Sequence, residues 1–514
     1  MTPMTPPDLN LSVLGPVVSV AAGSMLVLLG EVLLSRAKTF LGRPVNETYV
    51  GNVLMLVSVV SLAVATYMAA ASAHAGVDAV FNPANPMFRL DGFSALVTAL
   101  LGFAALLCCA LATNYLDELR IHHGEYYALV LFSTAGMMLM VCAVDMLAVF
   151  VGLELMSIPI YVLAGFDRRR LRSNESALKY FLIGSFASAI LLYGVALLYG
   201  ASGGTGFDEI RAGFDPSSTL SLAGLSLVVV GFAFKISSVP FHQWTPDVYE
   251  GAPSAVTAFM SVTVKLAAFA ALMRVLALSF DPLGELLVGV LWVLSALTMI
   301  VGNVMAVIQQ NIKRLLAYSS IAHAGYLLIG FVPGTTEGYS AVLFYLIGYL
   351  FMNLGAFAVV VALAQGGQDC EQMDSLAGLA QKRPGLAALM TLFMLSLAGI
   401  PGTVGFMGKV LIFKSAVSAG LVPLAILGVL TSVVSVYYYL RVPVLMYMRE
   451  PGPEAPRSSL ATGEALVLGV CALAVVYLGI NPNGALPFIG DLDVLDWARN
   501  SVEGLFAAAE TARR

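Results

Sequence analysis

Ala255–Leu272 reads AVTAFMSVTVKLAAFAAL, an apolar run with one lysine, Lys265, near its middle. A helix that crosses a bilayer needs about 20 mostly apolar residues. The run meets that length with its flanks, over 254–280. Hydrocarbon offers the backbone no partners, so only helices and closed barrels span it. The run shows no alternation of period two, which leaves the helix. The stretch therefore sets both the solvent, which is lipid, and the anomaly, which is a cation held inside it.

The whole chain agrees with this one stretch. Of its 514 residues, 59% are hydrophobic and 11% charged, with a formal net charge of −5. A soluble domain carries about 25% charged residues. A chain this long with so few charges cannot cover a water-facing surface. The small net charge argues neither for nucleic acid nor for a polybasic membrane anchor. Met1 to Leu11 has no basic region of the signal-peptide kind, so the first span is expected to stay in the mature chain.

Apolar runs of spanning length recur at 11–35, 49–73, 91–113, 124–144, 146–166, 174–200, 218–240, 254–280, 284–308, 312–333, 338–364, 385–418, 421–447 and 461–482. Fourteen spans are thus expected, with Asp145 marking the turn between the fourth and fifth. Basic residues favour cytoplasmic loops. Alternate loops hold Arg168–Arg170 with Arg172, then Lys313-Arg314, then Lys382-Arg383, while the others hold little beyond Arg89 and Arg211. This asymmetry places both termini outside the cytoplasm, as an even span count requires. In the tail, Pro487 to Arg514, either an interfacial helix or a partly ordered segment fits.

Ser176–Ser185 (SALKYFLIGS) pairs with Ser340–Tyr349 (SAVLFYLIGY), and Ser238-Val239-Pro240 pairs loosely with Gly399-Ile400-Pro401. Five spans separate the copies. That number is odd, so the copies are expected to be inverted, as in transporters whose sites lie near the midplane. The expected organisation is an N-terminal segment (1–123), a first unit (124–280), a second unit (284–447) and a last helix with tail (448–514). Pro240 and Pro401 sit deep in apolar segments. Proline removes a backbone donor and clashes with the preceding turn. Spans seven and twelve are accordingly expected to be broken.

The charges inside the spans carry the chemistry. Glu154 lies in span five, Lys179 opens span six, Lys235 precedes Pro240, Lys265 is central in span eight, and Lys409 follows Pro401 in span twelve. An intramembrane charge costs roughly 3 kcal/mol or more on insertion scales and marks an ion or proton path. Lysine suits such a path because its pKa moves with its surroundings, whereas arginine stays charged. The competing reading is a set of fixed ion pairs that hold helices together. It explains one Lys–Glu pair better than it explains four lysines with one carboxylate. His323, beside Ser319 and Ser320, is a relay candidate or a hydrogen-bonded core histidine. Lys414 is expected to snorkel. Tyr437, Tyr438 and Tyr439 read as packing or interface residues, and His122-His123 as an ordinary loop pair. The five cysteines and five histidines show no metal-ligand or disulfide spacing. No metal, cofactor or redox centre is expected in this chain.

The most specific stretch is Lys235–Pro253, KISSVPFHQWTPDVYEGAP. It resembles the antiporter-like membrane subunit family shared by complex I, the NADH:quinone oxidoreductase, and the Mrp-type antiporters. The ending Pro246–Pro253 looks like the N-type subunits of complex I. So do GLELMSIPIYVLAG from Gly152, ESALKYFLIGSFASAI from Glu175 and SLAGIPGTVGFMGK from Ser396. The resemblance runs from about residue 90 to 445. It implies an all-α polytopic fold of fourteen transmembrane helices, two inverted five-helix repeats and broken helices seven and twelve. It further implies that Glu154 and Lys235 form a gating pair, that Lys265 is the central lysine, and that Lys409 faces an exit or the next subunit. Lys179 matches a helix-six lysine of the N-type subunits.

The implied function is proton translocation in the membrane arm of complex I, coupled to quinone reduction elsewhere. NADH and quinone would bind other subunits, and subunits of the M and K type would be neighbours in a bacterial inner membrane. The alternatives are a Mrp-type cation/proton antiporter subunit and a scaffold that only assembles the membrane arm.

Overall fold

The computed structural model describes residues 9–36, 39–40, 43–44, 47–280, 284–364, 371–450, 460–483 and 493–511. In chain order the helices are α1 (Gly15–Leu34), α2 (Glu47–His74), α3 (Gly92–Glu118), α4 (Gly124–Cys142), α5 (Met146–Ala164), α6 (Leu171–Ser202), α7 (Phe207–Gly213) and α8 (Thr219–Lys235). Then come α9 (Trp244–Gly251), α10 (Ser254–Ser279), α11 (Gly284–Val307), α12 (Ile312–Phe331), α13 (Thr336–Ala362), α14 (Leu379–Lys382) and α15 (Pro384–Ala398). The chain closes with α16 (Val404–Ser418), α17 (Val422–Met448), α18 (Thr462–Ile480) and α19 (Val494–Thr511). Two two-residue β-ladders in the first loops are the strands of the described residues.

Eleven of these helices are long and apolar enough to cross a membrane, so the molecule is a multi-pass α-helical membrane protein. The other three expected spans are the polar or interrupted ones. Span seven stops at Lys235 after 17 residues. Span ten, α12, carries Lys313, Arg314 and His323. Span twelve is divided into α15 and α16. Composition alone is least able to mark a helix as membrane-spanning where the polar residues concentrate.

Polar caps fix where the helices begin. Asp91 accepts from the Ser94 amide at 2.8 Å while its own amide donates to Ser94 Oγ at 2.9 Å, a reciprocal cap on α3. Asp145 does turn the chain between α4 and α5, accepting from the Leu147 and Ala148 amides at 2.7 and 3.1 Å. Asn311 caps α12 in the same way, from Lys313 and Arg314. Asp145 also forms an antiparallel bridge with Gly206, and Asn311 one with Gln372. The two bridges are offset by the same 166 residues (311 − 145 and 372 − 206).

The helix pairs on either side of Asp145 and Asn311 are joined alike. Ser133 Oγ on α4 donates to the Met156 carbonyl on α5 at 3.0 Å, and Ser295 Oγ on α11 donates to the Gly325 carbonyl on α12 at 2.8 Å. Each pair is so close that a glycine is required. A Cβ at Gly136 would lie 2.3 Å from the Met156 amide nitrogen, and one at Gly302 would lie 2.7 Å from that of Ala322.

α10 and α13 form the centre. Every residue of α10 is buried, and α13 is buried along nearly all of its length. Peripheral helices show apolar faces outward, for example Leu29 on α1, Phe186 on α6 and Val433 on α17. The tail forms α19, with Val494, Ala498, Val502 and Leu505 buried and Trp497 exposed. Its inner face packs on α3, α10 and α13, and Phe506 meets Tyr339 edge-on. The tail is thus an amphipathic helix docked on the bundle; Leu492, also expected in it, lies outside the described residues. Cys108, Cys109, Cys142 and Cys471 are buried free thiols, and Cys370 lies outside the described residues.

Candidate functional site

Two helix breaks frame the site. α8 ends in a Schellman motif, in which the Ser238 amide donates to the Ala233 carbonyl at 2.8 Å and Ser237 takes the left-handed conformation, φ 62°. α15 ends in the same motif, with the Ile400 amide on the Leu395 carbonyl at 3.0 Å and Gly399 at φ 86°. Ser237 is therefore the partner of Gly399. The sequence pairing of Ser238 with Gly399 is one residue out of step, because the capping geometry, not the proline, sets the register. Ser237 bears the conformation glycine usually supplies, and its hydroxyl accepts from Thr245 at 2.8 Å. Thr298 of α11 ties this break to the rest of the bundle, accepting from the Val239 amide at 3.0 Å.

Lys235, the last residue of α8, is 2% exposed. Its ammonium donates to Ser157 Oγ on α5 at 2.7 Å. It also lies over the rings of Tyr161, Tyr180 and Phe234, 5.6–5.7 Å from their centroids, where the ring quadrupole attracts a cation. Glu154 stands three residues before Ser157 on the same helix. Its Oε1 is buried and has no hydrogen-bond partner. Among the described residues no ion pair joins Glu154 to Lys235, so the lysine rests on the serine.

Lys265 is 2% exposed in the middle of α10. Its ammonium donates to the Ser320 carbonyl on α12 and lies 5.9 Å from the Tyr349 ring centroid. From Ser320 a polar chain continues. Its neighbour Ser319 shares a hydrogen bond with the Tyr439 hydroxyl, which reaches His323 Nε2 at 3.0 Å. His323 Nδ1 in turn meets the Tyr345 hydroxyl at 2.6 Å. Imidazole and hydroxyl groups both donate and accept, so the line Ser319, Tyr439, His323 and Tyr345 can pass a proton along; the Ser320 carbonyl, which only accepts, holds Lys265 beside it.

Lys409, in α16, is buried as well. Its ammonium donates to the Ala398 carbonyl at 2.9 Å, the Leu397 carbonyl at 3.3 Å and Ser432 Oγ at 2.8 Å. The Tyr326 ring lies 4.8 Å away, and its hydroxyl accepts from Asn303, which accepts from Tyr438 at 3.0 Å.

The expected residues separate into two groups. Lys235, Lys265, His323 and Lys409 are buried among polar side chains. Lys179 is 41% exposed, paired with Glu175 at 2.7 Å and Asp247 at 3.0 Å, in a charged patch that also holds Arg314 and Glu250. Lys414 is exposed, in keeping with a snorkelling side chain. The tyrosine triplet divides: Tyr437 faces outward, while Tyr438 and Tyr439 are buried and belong to the polar network rather than to packing alone. The histidine pair divides too. His122 is buried between Asp117 and Tyr127 at 2.8 and 2.9 Å, and His123 is exposed. Glu31, His123 and Glu125 bring ligand atoms within 4.8 Å of one another, a grouping that sequence spacing does not reveal.

Several buried polar residues escaped the sequence reading. Arg274 of α10 is fully buried and pairs with Asp91 through two bonds of 3.1 and 2.7 Å. Lys313, read as a loop charge, is buried and donates to the Ala252 carbonyl at 2.6 Å. Ser157, Tyr345 and Ser432 gave no signal beyond a polar residue in an apolar run.

Residues 143–435 match the family described as NADH:quinone oxidoreductase/Mrp antiporter, TM. The chain belongs to this family. The matched region contains Glu154, Lys179, Lys235, Lys265, His323 and Lys409. A family relative, NADH-quinone oxidoreductase subunit N of Trichlorobacter lovleyi, is 48% identical over 403 residues, which cover 78% of this chain and 83% of the relative. Among solved structures, a chain of respiratory complex I from Thermus thermophilus with bound aureothin is 34% identical, with a TM-score of 0.75 over 91% of this chain and 97% of that one. A chain of the Mrp complex from Dietzia sp. DQ12-45-1b has a TM-score of 0.83 over 98% of both chains at 23% identity, a likeness of fold.

Proposed function

We propose that this chain is a proton-translocating membrane-arm subunit of an NADH:quinone oxidoreductase, of the N type. One observation carries the reading: Lys265 is buried on the Ser320 backbone carbonyl, beside a buried hydrogen-bonded line that runs from Ser319 through Tyr439 and His323 to Tyr345. Groups that donate, accept and titrate in one connected line suit proton transfer. Glu154 and Lys235 would gate the line from one side, and Lys409 would stand toward an exit or the next subunit. Lys179 would act at the charged face.

In this reading the chain holds no redox centre, and NADH and quinone bind other subunits. Energy reaches it as a change in electrostatics that favours one protonation state. Two inverted units, 124–280 and 284–447, would make the two halves of the path. The repeated caps and bridges, 166 residues apart, support that division. The expected even number of spans and the asymmetry of basic loops support both termini on the outer side, and the likeness to bacterial complex I chains supports a bacterial inner membrane with M- and K-type neighbours.

The test is made on the assembled complex in sealed vesicles. Lys235→Ala and Glu154→Ala should each depress proton pumping and the quinone reduction coupled to it. Normal assembly with wild-type pumping in both variants sinks the proposal. The likeness of fold to a Mrp chain keeps a cation/proton antiporter subunit as the second reading. Co-purification decides between them: a multisubunit NADH dehydrogenase or a small antiporter assembly.

A further inference from the structure

α6 and α9 are joined by two successive rungs. On α6 the rung residues are neighbours, Lys179 and Tyr180. On α9 they are Asp247 and Trp244, three residues apart and so on one side of the helix. The outer rung is the half-exposed ion pair of Lys179 with Asp247, 3.0 Å. The inner rung is aromatic and buried. The Tyr180 and Trp244 rings stack with centroids 4.4 Å apart and planes 4° from parallel.

Trp244 also closes the break in the helix. Its indole N–H donates to the Phe234 carbonyl at 3.1 Å, the residue before Lys235 and on the far side of the break. Tyr180, held by that stack, presents its ring to the Lys235 ammonium at 5.7 Å. One side chain therefore touches the end of α8, anchors the start of α9 and sets the ring that faces the lysine.

Resting on the proton-translocation reading above, we propose that Trp244 is a positioning residue for Lys235. It holds the Tyr180 ring and the end of α8 so that the ammonium stays within reach of Ser157. A shift of α9, which carries Asp247, moves Trp244 with it and so changes the surroundings of Lys235. The charged face at Lys179 is thereby linked to the buried lysine through a chain of direct contacts. A cation over an aromatic face is a modest interaction, stronger where water is excluded. The link therefore tunes the lysine rather than fixing it.

The experiment measures the ratio of the proton-pumping rate to the amount of assembled complex in sealed vesicles. This ratio is independent of how much complex assembles, so a purely structural role would not move it. Trp244→Leu should lower the ratio about threefold to tenfold, and Trp244→Phe, which keeps an aromatic face for stacking, should restore most of it. Tyr180→Leu should reproduce the Trp244→Leu effect and serves as the test should Trp244→Leu fail to assemble. In a Lys235→Ala background neither change should lower the ratio further. A wild-type ratio in the assembled leucine variants overturns the proposal. So does an undiminished effect in the Lys235→Ala background. Wild-type ratios in both Lys235→Ala and Glu154→Ala would instead overturn the underlying function.

Discussion

The ammonium of Lys409 lies 2.9 Å from the carbonyl oxygen of Ala398, the last residue of α15. The lysine sits in the helix after the break and satisfies the helix before it. The C-terminal carbonyls of a helix carry partial negative charge, and a cation there is favourable. Lys409 thus does for the second break what Trp244 does for the first: it ties the two halves across the gap.

Replacing Lys409 separates charge from proton release. Lys409→Met leaves the α15 carbonyls and Ser432 without their donor and should cost about 1–3 kcal/mol, read as a lower melting temperature of the purified complex. Lys409→Arg keeps a cation but cannot release a proton. It should melt near wild type and fail to pump. An arginine variant that pumps normally would show that Lys409 acts only as a fixed charge.

Ser157 accepts the hydrogen bond of Lys235, and a bond to a charged group contributes about 1.5–3 kcal/mol. Ser157→Ala should slow pumping roughly tenfold or more while the complex still assembles. Ser157→Thr keeps the hydroxyl and should retain most of the rate. Pumping assays on the two variants side by side check this, and equal rates would remove Ser157 from the path.

What the sequence made legible follows from the cost of charge in lipid. Glu154 and Lys235 stand out because each is the one charged residue in its run, 146–166 and 218–240, and Lys265 and Lys409 because they lie deeper in their runs than Arg274 and Lys414, which sit nearer an end. The partners stayed hidden because they are remote in sequence and chemically ordinary. Ser157 is 78 residues from Lys235, and Tyr439 is 116 from His323. The Ser320 and Ala398 contacts are backbone carbonyls, which every residue has. Arg274 was passed over because a basic residue toward the end of a span ordinarily reaches water; here Asp91 takes it instead. Lys313 sits beside its helix cap, where a charge reads as a loop feature, yet its ammonium is buried on the Ala252 carbonyl, between α9 and α10.

Arg274 and Asp91 make a buried ion pair linking α10 to the start of α3. Removing one partner leaves the other charge uncompensated, at a cost of about 3–5 kcal/mol. Asp91→Ala should therefore sharply reduce the yield of folded chain. Asp91→Leu combined with Arg274→Met should recover much of it, since apolar replacement of both partners is often neutral. Quantifying assembled complex in membranes for the single and double variants checks the pair.

Gly136 lets α4 and α5 touch backbone to backbone. Gly136→Val should push α5 away and cost about 1–3 kcal/mol as overpacking. Because α5 carries both Glu154 and Ser157, pumping should fall more than stability. A variant that melts lower but pumps at the wild-type rate would show that the position of α5 is not critical.

α10 is buried over its whole length, and it carries Lys265 and Arg274. During synthesis it must enter the membrane before its later neighbours exist. A basic residue at the centre of a lone helix opposes insertion by about 2.5–3.5 kcal/mol. Asp91, the partner of Arg274, precedes it in the chain and is already made. Lys265 must wait for Ser320, 55 residues later. The most deeply buried helix is thus poorly able to stand alone in lipid, and the order of translation bears on whether it is retained there.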